Sequence, residues 1–184
     1  VIDYLCREGA APFGAIEGGG YHYYATYLKR QIQVEAEEKV PEGKMAKLLY
    51  DMYQPDCAKY AEESDVPQIY ELLLENFDLQ ADHIPSEDDL LQIVKEKEVM
   101  IYKIGDKIEC FFIYRREGKK LYCAFSYNHA SADILYSIER RVKEIEYEEN
   151  GIKMHYAWFN AENKKALRRN AWKDTKIRDY IFVK

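Results

Sequence analysis

Along residues 57–183 the apolar positions change period in a regular order. Residues 57–61 read as a short strand, and Ile69, Leu72, Leu73 and Phe77 then recur at the spacing of one helix face. Ser64 or Asp65 is the predicted cap of that helix, and Pro67 falls in its first turn, where a missing N–H removes no helical bond. Ser86 opens a second helix, with Asp89 three residues on in capping-box fashion and Leu90, Ile93 and Val94 facing inward. The period then shortens to two. Residues 99–104, 108–114 and 121–127 predict the three strands of a meander, joined at Gly105-Asp106 and at Glu117-Gly118-Lys119. Ile134, Leu135, Ile138, Val142 and Ile145 stripe a long helix that stops near Asn150-Gly151. Residues 152–159 predict another strand, 162–170 a helix and 180–183 a closing strand.

The N-terminal part has a different texture. Residues 1–9 read as the end of a helix, Gly14 and Gly18-Gly19-Gly20 as a flexible link, and residues 21–34 as a strand with Tyr23, Ala25, Tyr27 and Leu28 inward. Pro41 then begins a helix whose Met45, Leu48, Leu49 and Met52 share a face. A boundary near residues 51–56 divides an N-terminal segment, 1–55, from a domain spanning 56–184.

Composition narrows the function more than the fold. A formal charge of -6 argues against nucleic acid, because phosphate binding needs a cationic field. No apolar run reaches the length of a membrane span and the first residues lack the pattern of a signal peptide, so a cytoplasmic protein without a membrane partner is expected. Cys6, Cys57, Cys110 and Cys123 show no metal spacing and are read as reduced thiols, with Cys110 and Cys123 inside apolar strands. His22, His83, His129 and His155 lie far apart, and no metal site is expected. The glycine-rich and histidine motifs of serine hydrolases, zinc proteases and P-loop enzymes do not occur. Seventeen tyrosines suit half-buried surfaces such as a homodimer interface or a ligand cleft.

The chemistry concentrates in one turn. Asn128-His129-Ala130-Ser131-Ala132-Asp133 links an apolar strand to the long helix, which is the geometry of an anion site at a helix N-terminus. It contains no glycine.

Taken together, the order strand, helix, helix, three antiparallel strands, helix, strand, helix, strand resembles the GNAT superfamily of acyl-CoA-dependent N-acyltransferases. Residues 59–69, Lys-Tyr-Ala-Glu-Glu-Ser-Asp-Val-Pro-Gln-Ile, are similar to that family's first strand and helix start. Asn163-Lys164-Lys165-Ala166 is similar to its late Asn-x-x-Ala helix. The resemblance implies an α+β fold, a central and mostly antiparallel mixed sheet flanked by helices. It further implies acetyl-CoA or another acyl-CoA as acyl donor, and a small-molecule or peptide amine as acceptor. By the same resemblance the donor lies between the strands at 121–127 and 152–159, with backbone groups of Phe125, Ser126 and Tyr127 on its pantetheine arm. Asn128, His129 and Ser131 then face the pyrophosphate, and Asn163 touches the cofactor. Glu109, on the strand at 108–114, is the candidate base for the amine, directly or through water; as an outward strand residue between Ile108 and Cys110 it would have no such role.

Two departures from the family pattern leave a second reading open. The family's loop has the form Gln/Arg-x-x-Gly-x-Gly/Ala, and here Asn128, Ser131 and Asp133 stand at its three defining places. A carboxylate in the first helical turn satisfies the positive end of the helix and repels an anion. Asn170 stands where many members carry a tyrosine that protonates the leaving thiolate, while Trp172 keeps a nearby aromatic. On this reading Asn128, Ser131 or Asp133 simply caps the helix, and the domain is a catalytically degenerate binding module without CoA affinity. The N-terminal segment is loosely similar to the tail of another such domain, as in a tandem protein.

Overall fold

The structure, a computed structural model, describes residues 11–12, 27–33, 44–77, 82–160, 173–179 and 182–183. The elements in chain order begin with strands β1 (Ala11–Pro12) and β2 (Tyr27–Gln33), helix α1 (Lys44–Asp51), strand β3 (Lys59–Tyr60) and helices α2 (Val66–Asn76) and α3 (Glu87–Lys95). Strands β4 (Val99–Ile104), β5 (Lys107–Glu117) and β6 (Lys120–Asn128) follow, then helix α4 (Ala132–Asn150) and strands β7 (Met154–Asn160), β8 (Lys173–Asp179) and β9 (Phe182–Val183). The protein is an α+β fold built on a mostly antiparallel sheet with flanking helices, as the resemblance drawn from its order of elements implies.

The chain divides into two compact units. One comprises Gln33–Asn76 and Pro85–His155. Its strands run in the order β3-β4-β5-β6, each antiparallel to the next. Residues Ile108 to Tyr114 of β5 are all buried, with α2 and α4 both packed on the strand, so beyond Glu109 the stretch from Cys110 to Tyr114 is a continuous apolar run instead of an alternating one. The core gathers Ile69 and Leu73 of α2, Leu90 of α3, Ile101 of β4, Phe111 and Ile113 of β5, Leu121 of β6 and Ile138 and Val142 of α4.

Caps and stops follow local chemistry. Ser86 caps α3 by accepting the Asp89 N–H at 3.2 Å. Ahead of α2 the cap is Glu62, not Ser64 or Asp65: a short 3-10 turn precedes the helix, and Glu62 and Asp65 satisfy each other's backbone N–H groups reciprocally. Gly151 ends α4 at φ 61, a left-handed conformation that glycine adopts without a Cβ clash.

The α1 face also departs from its pattern. Leu48 and Met52 are 50% and 43% exposed, because α1 meets α4 through aromatics instead of through its aliphatic stripe. The Arg140 guanidinium sits 4.3 Å from the Tyr50 ring centre and 4.1 Å from that of Tyr53. Glu144 then joins the clamp, accepting from the Tyr53 hydroxyl and from Arg140 Nε.

The other unit comprises Val1–Ile32, Phe77–Ile84 and Tyr156–Lys184. In it β2 lies between β7 and β8 and runs antiparallel to β8, with Tyr27 opposite Asp179. A separate pair, β1 with β9, puts Ala11 opposite Val183. The predicted helix at 1–9, the glycine link, Tyr23, Ala25, Pro41, the helix at 162–170 with Asn163 and Asn170, and Trp172 lie outside the described residues. Among the described residues no helix is long and apolar enough to cross a membrane, and no group of three or more His, Cys, Asp or Glu side chains could hold a metal.

Candidate functional site

Two β-bulges shape the region around the β6–α4 turn. Between β4 and β5 the pairing steps from Tyr102 with Cys110 to Lys103 with Ile108, leaving Glu109 as the extra residue. Between β5 and β6 it steps from Ile113 with Phe125 to Tyr114 with Cys123, leaving Ala124 extra. A bulge breaks strict alternation and re-aims the side chains beyond it. Glu109 is itself the bulged residue. Phe125, Ser126 and Tyr127 lie just past the second bulge, where Ser126 is exposed and Tyr127 stacks on Phe111 with ring centres 5.4 Å apart.

Glu109 organises the turn. Its backbone carbonyl accepts the N–H groups of both His129 (2.8 Å) and Ala130 (3.2 Å). Its carboxylate, with the side chain only 12% exposed, meets Lys107 Nζ at 2.7 Å through one oxygen and His129 Nδ1 at 2.7 Å through the other. Lys107 foremost, and then His129, hold the Glu109 carboxyl below the usual carboxylate range, and Glu109 in turn raises Lys107. A carboxylate with both oxygens engaged by cationic or N–H partners is a weak proton acceptor.

His129 is a different case. Its side chain is 68% exposed, and Nε2 has no partner among the described residues.

The N-terminus of α4 is uncapped. Ser131 occupies the cap position in extended backbone, yet its hydroxyl makes no capping bond. Asn128 donates from Nδ2 to the Ser131 carbonyl at 3.2 Å, while its Oδ1 is buried without a hydrogen-bond partner among the described residues. Asp133, in the first turn, accepts from Gln54 Nε2 at 3.2 Å. The backbone N–H of Gln54 in turn donates to Ser137 Oγ at 3.0 Å, which seats the loop after α1 beside the start of α4. Among the described residues no side chain therefore caps the first N–H groups of α4, which have no partner within the helix.

At its other end α4 is tied into the sheet by charge. Glu146 is fully buried and receives Arg116 through Nε at 2.6 Å and Nη2 at 2.7 Å, the Tyr114 hydroxyl at 3.1 Å and Asn150 Nδ2 at 2.9 Å. Glu98, also buried, pairs with Arg115 and Arg116, and burial outweighs those cations in pushing its carboxyl upward. Sequence periodicity passed over this cluster, because Glu146 looks like any charged position on a helix. Its signal was the match of Glu146 to the helix face of Ile138 and Val142.

Of the residues singled out from the sequence, Glu109, Asn128, His129 and Ser131 come together at the turn, and Phe125 to Tyr127 lead into it along β6. Asn163 lies outside the described residues. Lys107 and Gln54 were not anticipated: Lys107 joins through the bulged Glu109 two residues on, and Gln54 through a contact distant in sequence.

No protein-family model matches the chain, and no curated protein matches it in sequence. Solved structures do. A GCN5-related N-acetyltransferase from Sphaerobacter thermophilus superposes with a TM-score of 0.56 at 14% identity, over 98% of this chain and 54% of that one. A tandem GNAT protein from the clavulanic acid biosynthesis pathway gives 0.54 at 8%, over 98% and 56%. A conserved Enterococcus faecalis V583 protein described as a probable N-acyltransferase gives 0.57 at 12%, over 99% and 42%. The chain thus spans about half the length of the first two. Identities this low carry the fold alone, and the fold is that of the GCN5-related N-acetyltransferases.

Proposed function

We propose that this chain belongs to an acyl-CoA-dependent N-acyltransferase that moves an acyl group from its thioester to an amine. The observation that carries the reading is the uncapped N-terminus of α4, directly after a bulged β6, in a fold shared with N-acetyltransferases. The donor set fits a diphosphate: helix N–H groups without a capping side chain, with the His129 imidazole beside them. The Asp133 carboxylate, which accepts from Gln54, opposes this.

Acyl-CoA supplies an activated carbonyl and a thiolate leaving group. The chain's residues do the positioning. Backbone groups at Phe125, Ser126 and Tyr127 are the proposed partners of the pantetheine amides, with Asn128, His129 and Ser131 at the phosphate end and Asn163 as a further contact. Because Glu109 is already paired at both oxygens, the proposed route for the amine proton is through water to bulk solvent. The acceptor is a small-molecule or peptide amine. Residues 1–55 fit the tail of a preceding GNAT-like half, a reading supported by the tandem protein among the structural relatives.

Asp133 favours a second reading, a binding module of the same fold that has lost the cofactor. Calorimetry separates the two. Titration of acetyl-CoA or CoA should give saturable heat, and no heat at millimolar ligand removes the acyltransferase reading.

A further inference from the structure

The Glu109 carboxylate is an acceptor at both oxygens, so the hydrogen in its 2.7 Å contact with His129 belongs to Nδ1. This fixes the tautomer. A neutral His129 must then present a bare lone pair at its solvent-facing Nε2, which repels an anion. A protonated His129 presents Nε2–H instead, a donor for a charge-assisted bond to a phosphate oxygen.

We propose that His129, oriented by Glu109, is a proton-dependent ligand for the phosphate groups of the acyl-CoA at this turn. It would do with a side chain what the turn's glycine-free backbone does less well. The inference rests on the acyltransferase reading and adds to it a coupling: binding the donor takes up a proton at His129. Glu109 is the positioning residue, since it sets which nitrogen carries the first hydrogen.

The charged and titratable groups around the imidazole come from three elements. Glu109 and Lys107 belong to β5, Tyr127 belongs to β6 and bears on Lys107, and Asp133 stands in the first turn of α4. Lys107 and Glu109 largely cancel. The Asp133 carboxylate disfavours an anion at the helix end.

The test is CoA binding by calorimetry across pH 5.5 to 8, in buffers of differing ionisation heat, with the ring signals of His129 followed by NMR. The expected result is affinity about tenfold tighter at the acid end, with net proton uptake on binding and a shift of the His129 ring signals. In H129Q the affinity should lose that pH dependence, because the glutamine amide gains no proton over this range. In E109Q, whose amide can donate to Nδ1 and release the Nε2–H tautomer, the dependence should flatten while affinity at pH 8 rises. Wild-type protein that binds no CoA at any pH overturns the acyltransferase reading itself. Wild-type protein that binds CoA with the same pH profile as H129Q overturns only the role given to His129.

Discussion

Replacing Glu146 by alanine tests whether the charge cluster at the C-terminal half of α4 holds that helix on the sheet. The wild-type carboxylate is fully buried and accepts four hydrogen bonds, two of them from one guanidinium. Its loss leaves Arg116 beside an emptied cavity, and breaking a buried pair from one side costs about 3–5 kcal/mol. The lower end applies here. Arg116 keeps about a quarter of its side chain in solvent (28%) and retains Glu98 and the Glu96 carbonyl, and the Tyr114 hydroxyl retains the Lys97 carbonyl. We expect E146A to lose about 3 kcal/mol, which for a chain of this size lowers Tm by roughly 6–12 °C. E146Q keeps the shape and some of the bonds and should lose about half as much. Urea unfolding is the assay, read as a lower midpoint at unchanged slope. A loss under about 1 kcal/mol for E146A would refute the reasoning, since the bonds would then be no better than those of an exposed pair.

Three further outcomes follow from the same structure. D133N should bind CoA a few-fold more tightly while losing about 0.3–1 kcal/mol of stability, because the carboxylate that opposes a phosphate also favours the helix N-terminus; calorimetry and urea titration read the two signs, and equal affinity would show that no anion approaches α4. Burial foremost, with Lys143 adding to it, lowers the His155 pKa to about 3 from an unfolded value near 6.5, so the unfolded chain binds more protons between these limits. Stability should therefore be complete above about pH 6.5 and decline as pH falls toward 3, by at most about 1.4 kcal/mol per pH unit, and H155Q should remove that slope in pH-dependent urea titrations. Burial pushes the Cys110 and Cys123 thiols up to about 12, whereas Cys57 is only half-buried, so thiol labelling at pH 8 read by mass spectrometry should modify Cys57 well before either strand cysteine.

The parts of the fold legible in the sequence were those where burial and period coincide. Ser86 with Asp89, the stripe Ile134, Ile138 and Val142, and the glycine at 151 each bind a local pattern to a local structure, and each stands where the pattern puts it. Strand β8 was not legible, because Lys173, Asp174, Lys176, Arg178 and Asp179 give five charged residues in seven and its strand state comes from pairing with β2. Leu48 and Met52 misled in the opposite direction, since an apolar stripe says which face prefers burial but not whether aromatic contacts on the neighbouring face will win. At the candidate site the sequence supplied the residue types, and the geometry came from a register shift. Nothing in Ile108-Glu109-Cys110 announces a bulge, yet that one extra residue brings the Glu109 carboxylate to Lys107 and His129.

The two N–H groups that close on the Glu109 carbonyl also bear on how the turn tolerates substitution. They pin the chain as it leaves β6 by main-chain atoms, which every residue except proline can supply. The shape of the turn is thus insulated from its own spelling. A side chain exchanged at His129 or Ala130 leaves both main-chain bonds to Glu109 available. A frame of this kind lets binding drift, sharpen or disappear over generations while the architecture stays the same.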